Sequence, residues 1–109
     1  MDIAEQQIAG ALVLRPAGRL DGTNAPSFEK TVLDRLDGKP ARMVLDLAAI
    51  DYVSSAGLRT ILLAAKRAKS VGCGLAVCGL RDHIREVFDL SGFGNVVAIR
   101  PTVEEALRS

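Results

Sequence analysis

Two cysteines and one histidine are all that this 109-residue chain holds of the residues that staple small domains or build zinc sites. A structural zinc ion takes four such ligands, so no metal centre is expected. A disulfide between Cys73 and Cys78 is not expected either. A chain that is 49% apolar can build its own core, and nothing here marks it for an oxidising compartment. Both thiols are expected to be buried or half-buried. The first residues, Met1-Asp2-Ile3-Ala4-Glu5-Gln6, carry acids where a secretory signal would carry a basic region. No apolar run approaches the ~18–20 residues that span a bilayer. The expectation is a cytoplasmic protein with no membrane partner.

Charge of one sign is also missing. A formal net charge of +1 gives no reason to expect direct nucleic-acid binding. Arg59, Lys66, Arg67 and Lys69 do gather in one stretch, which reads as a solvated helix face. Enzyme signatures are absent too. No Gly-x-Ser-x-Gly elbow occurs. Gly72-Cys73-Gly74 precedes a strand rather than joining a strand to a helix, so it makes no phosphate cradle and no nucleotide cofactor is expected. Ser55, His83 and either Asp46 or Asp51 could collect at one sheet edge, but a Ser-His-Asp set is judged by geometry. His83 lies in the charged run Arg81-Asp82-His83-Ile84-Arg85, where a solvated histidine is ordinary. No catalytic residue is assigned.

What is present is an alternation of short strands and amphipathic helices. The length suits one domain that buries about two-thirds of the surface its unfolded chain exposes. Ile3 to Ile8 reads as an edge strand, Ala9-Gly10 as a hairpin turn, and Ala11 to about Gly18 as a firmer strand. Pro16 argues against a central ladder position at that end. Gly18 to Pro26 is punctuation leading into a helix that Thr23 or Asn24 can cap. Pro26 is tolerated in its first turn, and Phe28, Val32, Leu33 and Leu36 face the core. Met43 to Leu47 is an apolar run broken by Asp46, the pattern of a strand buried on both faces. Beyond Ser54 the period changes: Leu58, Ile61, Leu62, Ala65 and Ala68 form one face of a helix from about 55 to 70. Leu75 to Cys78 is a strand, making a parallel βαβ unit with the strand before the helix. A third helix runs from Leu80 to Leu90 through Ile84, Val87, Phe88 and Leu90. Val96 to Ile99 is the last strand, and Thr102-Val103-Glu104-Glu105 is a capping box opening a terminal helix.

Ser54 and Ser55 stand where the buried strand gives way to the helix, an edge at which α/β sheets bind ligands and partners. Such serines commonly cap, satisfying an orphan N–H for roughly 0.5–2 kcal/mol. The same place tolerates a phosphate, because a helix start carries about half a positive charge.

Asp46-Leu47, Tyr52-Val53-Ser54-Ser55-Ala56-Gly57-Leu58, Cys78-Gly79-Leu80 and Val87-Phe88-Asp89-Leu90-Ser91-Gly92-Phe93 together resemble the STAS domain. The branch they are most similar to is the bacterial anti-sigma factor antagonists. The resemblance spans nearly the whole chain, from Leu12 to the last helix, and implies a single STAS domain over residues 1–109. It implies an α/β fold: a mixed sheet of four to five strands with about four helices, the helix after the third strand starting at the phospho-acceptor serine. In the family that serine lies two residues before the motif glycine, which is Ser55 here. Ser54 stands where the family often has aspartate and Ala56 where it often has serine or threonine, so Ser54 is the second choice. The loop Asp21, Gly22, Thr23 and Asn24 is implied to join Ser54, Ser55, Ala56, Gly57, Leu58 and Arg59 in a partner-binding surface. Asp21 reads from the residues alone as a turn or cap carboxylate.

The implied cycle has the unphosphorylated chain bind an anti-sigma factor that is itself a serine kinase, releasing a sigma factor. Phosphorylation of Ser55 ends binding, and a serine phosphatase restores it. The alternative is a non-switching STAS subunit of a larger assembly, of the lipid-transport or stressosome kind, in which the serine only caps.

Overall fold

The computed structural model describes residues 1–108. Strand β1 (Ile3–Ile8) turns back on β2 (Ala11–Pro16) in an antiparallel hairpin, with Ile8 opposite Ala11. Ala9 and Gly10 make the turn at φ 51° and 80°, the doubly positive geometry of a two-residue hairpin loop. β3 (Gly18–Leu20) and α1 (Ala25–Asp37) follow, then β4 (Arg42–Asp46) and β5 (Ile50–Val53). The rest is α2 (Ser55–Val71), β6 (Gly74–Cys78), α3 (Asp82–Leu90), a 3-10 turn at Phe93–Asn95, β7 (Ala98–Arg100) and α4 (Val103–Leu107).

Five strands form the main sheet in the order β1-β2-β4-β6-β7, antiparallel at β1–β2 and parallel elsewhere. The mixed sheet with four helices matches the expected α/β STAS architecture. Pro16 sits beyond the last β2–β4 rung, Leu14 opposite Leu45, so its missing N–H breaks no parallel ladder bond. The β4–β6 pair is parallel, as a crossover through a helix requires.

The large core lies on the sheet face that carries α1 and α2. Leu14, Leu45 and Val77 from the strands meet Phe28, Val32 and Leu36 of α1 and Ile61, Ala64 and Ala68 of α2. Small residues on α2 let the two helices lie close over the sheet. α3 adds Ile84 and Phe88, with the Phe88 ring 4.9 Å from that of Phe93. The opposite face has a smaller cluster of Val13, Val44, Ala76 and Cys78 under Ala106 of α4. Thr102 starts α4 as its sequence predicts, its side chain accepting the Glu105 N–H at 3.1 Å.

Several sequence expectations need correction. The helix of interest follows the fifth strand, not the third, because Ile50–Val53 pairs with the three-residue β3 in a separate parallel sheet. Asn24 occupies the cap position of α1, yet neither its side chain nor that of Thr23 caps the helix. Asn24 instead accepts the Asp21 N–H at 2.9 Å and donates back to the Arg19 carbonyl, bracing the preceding loop. Leu33 packs against the core as expected, though half-buried, whereas Val87 and Leu90 of α3 face solvent, Leu90 at 84% exposure. The last strand is shifted to Ala98–Arg100.

Leu45 is fully buried at the centre of the main sheet, packed in the cluster that joins sheet and helices. Replacing it with alanine is expected to cost about 2–5 kcal/mol, seen as a lower urea midpoint at unchanged slope.

Candidate functional site

The site is made where the short sheet ends. β3 and β5 run parallel with Arg19 beside Tyr52 and Leu20 beside Val53. One residue further on, the Ser54 N–H donates to the Leu20 carbonyl at 2.9 Å. That bond sets the Asp21–Asn24 loop alongside the start of α2. Gly57 permits the approach. A Cβ there would stand 2.7 Å from the Leu20 carbonyl oxygen and 2.8 Å from its Cγ. β5 is held from the other side by α3: His83 Nε2 donates to the Asp51 carbonyl at 2.7 Å, and Arg81 Nε reaches the Ala48 carbonyl at 3.4 Å.

The two serines have different surroundings. Ser54 is the N-cap of α2, extended at φ −85° and ψ 174°, and its Oγ accepts the Gly57 N–H at 3.2 Å. Its carbonyl accepts from Leu58 N–H at 2.9 Å. Ser55 is the first helical residue and is exposed, and its hydroxyl bonds to no described residue. Ala56 is half-buried; its carbonyl takes the hydroxyl of Thr60, a buried polar side chain, at 3.1 Å. Leu58 is half-buried against the core and Arg59 points to solvent. The structure therefore sets the Asp21–Asn24 loop, through Leu20, beside the start of α2 at Ser54 and Gly57.

In the loop, Asp21 Oδ1 accepts from the Thr23 N–H at 3.0 Å and from its hydroxyl at 2.6 Å. These bonds favour the charged carboxylate and, with a smaller contribution from the Arg19 guanidinium, hold Asp21 below the usual aspartate range. Gly22 and Thr23 are exposed. Two residues beside the site were not nominated from the sequence. The Arg19 guanidinium lies over the Tyr52 ring, 4.2 Å from its centroid, with Nε 3.6 Å from Asp21 Oδ2. Each precedes its loop by two positions, Arg19 before Asp21 and Tyr52 before Ser54, but only the strand register makes them neighbours.

No serine-histidine-aspartate relay is assembled among the described residues. His83 is committed to the Asp51 carbonyl, and Asp46 to the Arg15 guanidinium at 3.2 Å and the Ala48 N–H at 3.1 Å. Cys73 and Cys78 are buried thiols. Burial first, and the Asp46 charge second, push Cys78 up to about 12, which leaves it unreactive. No group of described side chains could hold a metal ion, and no described helix is long and apolar enough to cross a membrane.

The model of the STAS domain family matches residues 2–106. The chain belongs to that family. A relative from Bordetella bronchiseptica, named "Putative anti-sigma factor antagonist BtrV", is 38% identical over 97% of this chain and 91% of its own length. The crystal structure of the Thermotoga maritima protein TM1081 superposes with a TM-score of 0.91 at 24% identity, covering 97% of this chain and 92% of that one. The anti-sigma factor antagonist SpoIIAA in its unphosphorylated form superposes at 0.78 with 18% identity, covering 97% and 93% of the two chains. At those identities the two structures speak to the fold alone.

The serines can be told apart by stability. Ser54→Ala removes the cap and should cost about 1 kcal/mol, whereas Ser55→Ala should stay within about 0.5 kcal/mol of the parent in chemical denaturation. Gly57→Ala keeps the helix but forces the Leu20 strand away. It should cost about 1–3 kcal/mol and shift the amide signals of Leu20 and Ser54, a readout that a simple helix effect would leave alone.

Proposed function

We propose that this chain is an anti-sigma factor antagonist whose partner binding is ended by phosphorylation of Ser55. The observation that carries the proposal is the division between the serines: Ser54 serves the helix, and Ser55 stands exposed with its hydroxyl uncommitted. The family membership and the relative of 38% identity support the partner class.

In the unphosphorylated state the chain binds an anti-sigma factor with serine kinase activity, and so frees a sigma factor, in the cytoplasm. The kinase then acts on the bound chain, which is a substrate and not an enzyme. Ser55 Oγ attacks the γ-phosphorus of ATP, the bond from that phosphorus to the ADP oxygen breaks, and the hydroxyl proton passes to a base of the kinase. A serine phosphatase hydrolyses the ester and restores the hydroxyl.

The physics of release is local. Phosphate brings about −1.5 to −2 charges to the first residue of α2, where the positive end of the helix tolerates them. Ser55 is already outside the core, so the ester displaces nothing that holds the fold. A partner surface that had closed over the hydroxyl must instead face a dianion. Even ~3 kcal/mol of desolvation and repulsion weakens binding about a hundredfold.

The test is incubation with ATP and the anti-sigma kinases of the same genome, followed by intact mass and peptide mapping. One phosphate on Ser55, absent from Ser55→Ala, is expected, with Ser55→Ala remaining bound and Ser55→Glu binding at least about tenfold more weakly. Phosphate on Ser54 would keep the switch and move its residue. No phosphate with any of these kinases, and stable binding to another complex, would replace the switch by a fixed STAS subunit in which Ser55 is merely part of the surface.

A further inference from the structure

Asp21 is the obvious charged residue of the loop beside the start of α2, but its carboxylate is engaged by the loop's own groups. Oδ1 is taken by the amide and hydroxyl of Thr23, and Oδ2 faces Arg19 Nε at 3.6 Å. The group left facing outward is Arg19. Its side chain is 60% exposed, its guanidinium lies over the Tyr52 ring, and Nη1 and Nη2 donate to no described residue. An arginine whose guanidinium lies over an aromatic ring and whose Nε is paired with a carboxylate at 3.6 Å is biased to present the far edge of its fork outward. Two parallel N–H donors at that edge match a carboxylate, and this bias lowers the cost of aligning them.

We infer that the Arg19 guanidinium, lying over Tyr52 and paired with Asp21, receives a carboxylate side chain of the anti-sigma kinase and sets which kinase the chain accepts. This rests on the partner-switching function proposed above and names the chemistry of its contact. Asp21 then acts as a positioning residue, through Arg19 and through the loop. The remaining charges of this edge agree. Arg59 is exposed one turn into α2, so a second cation stands on the helix that Ser55 opens, with Asp51 the exposed acid on β5. An acidic patch complements such an edge. Tyr52, 41% exposed beneath the guanidinium, supplies the apolar area that an isolated arginine would lack. Tyrosine and arginine are the residue types that most often dominate interface energies. The same arrangement explains why phosphate releases this partner. The dianion on Ser55 neutralises the basic edge and repels the carboxylate that had been paired with it.

The experiment uses the kinase that phosphorylates the wild-type chain, with affinity measured by calorimetry for Arg19→Glu, Arg19→Lys and Tyr52→Leu. Arg19→Glu should bind at least about 30-fold more weakly, since an interface then opposes two like charges. Arg19→Lys, which keeps charge but loses fork and stack, should lose about five- to tenfold, and Tyr52→Leu a similar amount. Exchanging the kinase's surface acids for lysine one at a time should find a single site that restores binding to Arg19→Glu. A purely structural role for Arg19 would not produce that rescue, and thermal midpoints of the variants should match the parent because the side chain is exposed. Binding of Arg19→Glu within about twofold of wild type, or a loss that no charge exchange in the kinase restores, would overturn the inference while leaving the switch at Ser55 intact. If no kinase binds and phosphorylates the wild-type chain, the inference falls together with the proposed function.

Discussion

The hydrogen bond from the Ser54 amide to the Leu20 carbonyl joins two parts of the chain that are far apart in sequence. It extends the parallel ladder of β3 and β5, which contains only three strand residues on one side and four on the other. An isolated pair of this size would not persist in water. It persists because Leu20 and Ile50 are fully buried in the core, Gly57 lets α2 close down on Leu20, and α3 braces β5 through His83 and Arg81. The Asp21 loop and the start of α2 meet only because of this ladder. A surface built from two loops then behaves as one object, and a partner can read both at once without ordering either.

That support also separates the cost of the proposed switch from the cost of the fold. Ser54 carries the structural duty at the helix start, and its hydroxyl, amide and carbonyl are all engaged with the chain's own atoms. Ser55 carries none. A capping serine that became a phosphoserine would give up the cap and set the ester against the helix it had stabilised. With the tasks divided between neighbours, the charge added in the proposed switch would act on what docks and not on the cap. Ser54, bonded to the Gly57 amide, is the less free of the two hydroxyls, which is why the proposed switch is assigned to Ser55.

Much of this was legible from residue order. The change of period after Ser54, the apolar run from Met43, the glycine turn after Ile8 and the threonine box before α4 each express a local rule that the chain obeys. Tertiary context decided the rest. Gly18–Leu20 is too short to show a period of two, and its partner lies at Ile50–Val53, so neither looks like a strand alone. Asn24 has the identity and position of a cap, but the loop before α1 needs its amide more, and the helix start goes without. Leu90 fits the apolar pattern of α3, yet the helix ends just as its face turns outward. The Arg19–Tyr52 pair has no sequence signature at all, because a cross-strand pair exists only once the register is known.

The register also explains why the functional residues alternate as they do. In a strand, neighbours point to opposite faces. Leu20 must enter the core to hold the ladder, so Arg19 must leave it, and the same holds for Ile50 and its exposed neighbour Asp51. The positions that make the short sheet possible therefore commit the adjacent ones to solvent. Beyond the register shift between Gly18 and Arg19, Leu20 pairs with Val53 and both turn to the core, so their neighbours Arg19 and Tyr52 are displayed side by side, and that surface can change its charge or aromatic content without disturbing them. A family that keeps one scaffold while meeting different partners needs that freedom, and the alternation of a strand supplies it on the short sheet that leads into α2.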